Sequence, residues 1–119
     1  MSSRPEELRD RTKAFALRVI RLFRSLPYRT DTQVLGKQLL RCGTSVAANY
    51  RAACRARSKA EFIARIAIVA EEADEAVLWL ELLIESGIIK SEMTVALFNE
   101  AKELAAILTA SRQTAKQSA

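Results

Sequence analysis

The hydrophobic positions of the chain fall into four blocks of helical period, separated by short joints rich in polar residues or breakers. The longest block runs from Ser58 to Gly87. Within it Phe62, Ile66, Val69, Ala73, Ala76, Leu80 and Leu83 recur at alternating spacings of four and three, which places them on one seam of a helix. Ile63, Ala67, Ala70, Val77 and Ile84 form a second stripe, and Ile68, Leu78 and Leu82 a third. A single packing partner cannot cover so wide an apolar surface. Ser58 with Glu61 three residues on has the form of a capping box, and Gly87 suits the left-handed position that ends a helix.

The first block begins near Pro5, with Glu6 and Glu7 well placed in an opening turn, and Pro27 ends it. Its seam is Phe15, Val19, Leu22 and Leu26, flanked by Leu8 and Phe23. Thr30 or Asp31 can cap the second block, whose seam is Leu35, Leu39, Cys42, Val46 and Ala53. Asn49 falls in that seam, where a lone polar residue specifies register or partner. Gly36 and Gly43 lie seven apart and imply the close approach of another helix. The last block is capped by Ser91, carries Met93, Leu97, Ala101, Leu104 and Leu108, and fades into the polar run RQTAKQSA, expected to fray. Joints this short predict an all-α, antiparallel up-down-up-down four-helix bundle. It forms a single domain over about 1–113, with helices at about 5–26, 31–56, 58–86 and 91–111 and a polar tail at 114–119.

Composition agrees, since 119 residues with only three Gly and two Pro suffice for one helical core. No apolar run approaches the roughly 18 residues of a membrane span, and the N-terminal MSSRPEELRD lacks the apolar stretch of a secretory signal. The expectation is a cytoplasmic protein with no membrane contact. Cys42 and Cys54, twelve apart on one helix, stand roughly 18 Å apart, too far to bridge. With no histidine in the chain they have no zinc or redox partners and read as small buried hydrophobes. No metal, no cofactor and no histidine relay are expected.

Charge changes the picture more. Residues 1–57 hold 13 Lys and Arg against 4 acids, net +9, and the remainder is net −4. Arg11, Arg18 and Arg21 lie off the first seam. On the second helix Lys37, Arg41, Arg51 and Arg55 project within about 80° of one another, and Arg57 continues the stripe. Exposed, these residues would neutralise phosphates of RNA or DNA. Tyr50 is the one aromatic among them, so positioning on the backbone is expected rather than base reading. The rival is pairing with Glu71, Glu72, Asp74 and Glu75 of the third helix. Glu71 and Glu75 share the stripe of Ile68, Leu78 and Leu82, which calls for an arginine partner. An amide at Asn49 and a carboxylate at Glu71 would also satisfy each other. Trp79, on the polar line of Arg65 and Glu72, would stand exposed in a monomer. With Ile68, Glu71, Glu75, Leu78 and Leu82 it suggests a subunit interface.

Two resemblances follow from these residues. Glu71-Glu72-x-x-Glu75 resembles the magnesium motif of the all-α nucleotide pyrophosphohydrolases, although their ExxD is replaced here by Glu100-x-x-Glu103. A broader one covers roughly residues 12–89. Ser45 and Asn49 in S-x-x-x-N, Ser58-Lys59 with Phe62-Ile63, and Glu71-Glu72 with Glu75, Trp79-Leu80 and Leu83 resemble a four-helix-bundle family. Its members are encoded in intervening sequences of bacterial 23S ribosomal RNA genes and labelled S23. That resemblance implies no enzymatic activity and Ser45 and Asn49 as buried polar positions. It also implies a homo-oligomer, a pentamer as in the retroelement accessory proteins of this group, with a basic surface for nucleic acid or a protein partner. The alternatives are an interaction scaffold without nucleic acid and the Mg²⁺-dependent hydrolase.

Overall fold

Four apolar seams joined by short breakers leave the chain one economical arrangement. The computed structural model describes residues 4–118, with α1 (Arg4–Ser25), α2 (Thr30–Cys54), α3 (Lys59–Glu85) and α4 (Ser91–Gln117) packed as an antiparallel four-helix bundle. Residues 1–3 and 119, the outer ends of the expected domain and tail, lie outside the described residues. Each helix packs on its neighbours in sequence; α2 and α3 share the broadest interface, and α1 and α4 the thinnest. Phe15 and Val19, Leu39 and Val46, Ile66 and Leu80, and Leu104 and Leu108 meet in one core with almost no exposure.

The predicted punctuation is partly altered. Ser58 Oγ accepts from the Glu61 amide at 3.1 Å, but the Glu61 carboxylate accepts from the Arg57 amide at 3.0 Å rather than from Ser58. Arg29 and Lys90, not Thr30, Asp31 or Ser91, hold the cap positions of α2 and α4, and neither makes a side-chain cap bond. Gly87 adopts φ 81°, the left-handed turn that frees the chain from α3.

Gly36 and Gly43 do mark a close approach. A Cβ at Gly36 would meet Leu26 and Phe23, and one at Gly43 would meet Val19, so α1 lies directly over this face of α2.

Four other expectations are corrected. Met93 is 82% exposed, and Thr94 takes the inward position, its hydroxyl donating to the Lys90 carbonyl at 3.2 Å. Cys42 is buried, but Cys54, the last residue of α2, is exposed. Helix α4 continues past the expected end near 111, because Ala115 is buried and Lys59 Nζ donates to the Ser118 carbonyl, tying the helix end to the start of α3. Trp79 is only partly exposed, packing against the core and donating from Nε1 to Glu75 at 3.2 Å.

Candidate nucleic-acid interface

The fold places the arginines expected to bind phosphate in three environments. Two are drawn into ion pairs within the chain. Arg41 reaches from α2 to α3, donating from Nη1 to Glu72 at 2.9 Å and from Nη2 to Glu75 at 2.6 Å. Arg11 spans from α1 to α4, donating from Nε and Nη2 to Glu100 at 2.8 and 2.7 Å, with Glu103 at 2.9 Å. The two carboxylates raise the Arg11 pKa through these bonds, so the guanidinium stays charged. Both residues were expected on the phosphate-binding face. The structure instead ties them to partners because half-buried carboxylates need a fixed cation.

The same bonds bear on the magnesium motif. Four of the five carboxylates that match it, in position or by substitution, are engaged by arginine, Glu72 and Glu75 by Arg41 and Glu100 and Glu103 by Arg11, while Glu71 is exposed. Cys42, Glu72 and Glu75 place a thiol and two carboxylate oxygens within 4.8 Å of one another. Arg41 already lies among them, 3.3 Å from the Cys42 sulfur. Burial, followed by the field of Glu72 and Glu75, pushes the Cys42 thiol up to about 12, so the metal-free thiol keeps its proton.

Asn49 is satisfied without Glu71. Its Nδ2 donates to Ser45 Oγ at 2.9 Å and to the Ser45 carbonyl at 3.1 Å, while Oδ1 accepts from Arg65 at 3.2 Å. Ser45 and Asn49 are half-buried rather than buried, forming an i, i+4 polar pair that links α2 to α3 through Arg65. Glu71 stays exposed with Ile68, Leu78 and Leu82.

In the second environment, five cations line two adjoining hollows, one between α1 and α2 and one between the end of α2 and the start of α3. Arg9, Lys13 and Arg51 line one hollow of about 400 Å³, and Arg51, Arg55 and Arg57 an adjoining one of about 450 Å³. The hollows share Ala48 and Arg51, so five cations follow one continuous track floored by alanines. Glu61 is the acid that lines it; Asp10, 3.6 Å from Arg9, forms a well-exposed pair of little weight. Arg9 and Lys13 are not among the cations expected on α1 from the sequence, which stand on its other flank. They lie two residues from Arg11, about 160–200° around the helix.

The third environment holds Arg18 and Arg21, which face α4 at the far end of α1, away from the track. Lys37 is separated as well, lining a shallow hollow with Tyr28 and Arg29 near the start of α2. Tyr50 is no stacking platform. It is 4% exposed, and burial followed by the neighbouring Cys54 pushes its phenol up to about 12. Among the described residues no helix is long and apolar enough to cross a membrane.

The architecture and its arginine-bridged seams define a class: small all-α bundles built from one antiparallel chain. The chain belongs to the 23S rRNA-intervening sequence protein family, whose model matches residues 6–110. It is similar to a crystal structure, at 1.70 Å resolution, of a protein of unknown function from the S23 ribosomal protein family of Bacteroides thetaiotaomicron. The two share 34% identity, covering 93% of this chain and 99% of that one, with a TM-score of 0.85. No curated protein matches the chain.

Proposed function

We propose that the chain is a non-enzymatic, homo-oligomeric nucleic-acid-binding protein of the cytoplasm that holds phosphates along the basic track of α2 and its flanking elements. The observation that carries this reading is the track of Arg9, Lys13, Arg51, Arg55 and Arg57 with Glu61 as its lining acid. The floor is alanine and no aromatic ring lines the track, so the contacts it offers are to backbone phosphate rather than to bases. The exposed α3 stripe of Ile68, Leu78 and Leu82, 39%, 46% and 39% accessible, is the surface a second copy would cover.

Titrating labelled single-stranded RNA at several salt concentrations tests the reading. Four or five phosphate contacts predict a log–log salt slope of about −3. Replacing Lys13, Arg51 and Arg55 by Ala should flatten that slope by about two. Absence of binding at low salt would favour the scaffold reading, which the capture of Arg11 and Arg41 within the chain also supports. Turnover of a nucleoside triphosphate panel with Mg²⁺, lost in Glu72→Gln, would instead favour the hydrolase.

A further inference from the structure

The seam between α1 and α4 is closed at one end and open at the other. Near the start of α1, Arg11 clamps Glu100 and Glu103 across it. Towards the other end of α1 the helices part around a cavity of about 580 Å³, the largest of those described. Leu22 of α1 and Leu26 just past its end, Ile89 of the α3–α4 turn, and Met93 and Leu97 of α4 form apolar walls. Arg18, Arg21 and Lys90 are its charged lining residues, and no acid lines it. Its volume and its combination of apolar walls with a few charged groups match a small-molecule site.

We propose that this cavity binds a small anionic amphiphile of the class of a medium-chain acyl carboxylate. The charge complementarity identifies the occupant. An apolar body removes Leu22, Leu26, Ile89 and Met93 from water, which a nucleotide or a free phosphate would not do. Arg18, Arg21 and Lys90 supply charge-assisted donors for a carboxylate head, and none of the three has a carboxylate partner within ion-pair distance among the described residues. A cationic amphiphile would be repelled by these groups, and a neutral one would gain no charge-assisted bond from them. The thin α1–α4 interface lets the chain enter by a small separation of two helices, while the Arg11 clamp limits its depth.

Calorimetric titration of the full chain with saturated carboxylates from eight to fourteen carbons, below their micellar concentrations, tests this assignment. Saturable one-to-one binding is expected, tightening about fourfold per methylene and then levelling where the cavity is full. The alcohol of equal length should bind at least tenfold more weakly. Ala96→Trp, at an exposed position on the wall, should block the cavity without disturbing the core, and Met93→Glu, also exposed, should repel the head group. Both variants should retain the parent melting temperature. Non-saturable uptake, equal affinity for the alcohol, or binding unchanged in both variants would overturn the proposal.

Discussion

Val19 lies over Gly43 so closely that a Cβ at position 43 would stand 3.0 Å from both of its γ carbons and 3.1 Å from its own Cβ. The contact fixes how near α1 comes to α2. Alanine would gain up to about 1 kcal/mol of helix propensity, but Val19 is fully buried and its branched Cβ cannot rotate out of the way. Gly43→Ala should therefore destabilise by about 1–2 kcal/mol net, as for other overpacked cores. Gly36→Ala meets the ends of Leu26 and Phe23, both only half-buried, and should cost less. Urea denaturation of the two variants checks the order, and Val19→Ala should make Gly43→Ala tolerable in the double variant.

Arg11 is the main polar link across the thinnest interface. Its replacement by Met keeps the hydrophobic stem but leaves Glu100, whose side chain is 18% exposed, without a cation. A loss of about 1–2 kcal/mol is expected for these partly screened charge-assisted bonds. Hydrogen exchange should quicken first in α1 and α4, whereas α2 and α3 keep their protection. Uniform quickening in all four helices would show that the seam does not open independently.

Alkaline pH acts on two buried acids. The Cys42 thiol is pushed from an ordinary 9.0 to about 12, and the Tyr50 phenol from 10.0 to about 12, in both cases chiefly by burial. Each keeps its proton in the fold at a pH where the unfolded chain has lost it. The stabilisation is thus complete below about pH 9 and is lost as pH rises towards about 12. Denaturation midpoints measured from pH 7 to 11 should fall over that window, less steeply in Cys42→Ala. A thiol reagent at pH 8 should label Cys54 rapidly and Cys42 only after unfolding.

The α3 stripe can be tested apart from nucleic acid. Leu78→Glu places a charge among Ile68, Glu71 and Leu82 on a surface the monomer leaves open. It should lower the sedimentation coefficient by breaking the proposed assembly while sparing helical content. A parent protein that sediments as a 13.3 kDa monomer would remove the basis for the interface.

Much of the architecture was legible in the sequence because helix periodicity and breakers are local properties. Seam residues such as Val19, Val46, Ile66, Leu80 and Leu104 are buried where their spacing put them, and Gly87 ends α3 with the expected backbone. Met93 and Thr94 show where that reading fails. The entry angle of α4 sets which neighbouring side chain turns inward, and a threonine can enter the core by returning its hydroxyl to a helix carbonyl. The site was less legible than the fold. Of the stripe expected on α2, Arg51 and Arg55 share a hollow, whereas Arg41 turns to Glu72 and Glu75, Lys37 lies apart with Tyr28 and Arg29, and Arg9 and Lys13 adjoin Arg51 from α1.

The sequence by itself determined the four helices, their lengths apart from the extension of α4, the close approach at Gly36 and Gly43, and the excess of basic charge in the first half. Only the tertiary structure decided which cations remain available. An arginine reaches far enough to choose between water, a phosphate and a carboxylate on the next helix, and that choice depends on distances across the bundle that no spacing along the chain contains. The packing therefore gives Arg11 and Arg41 to the seams, Arg18 and Arg21 to the cavity, and Arg51, Arg55 and Arg57 to the basic track.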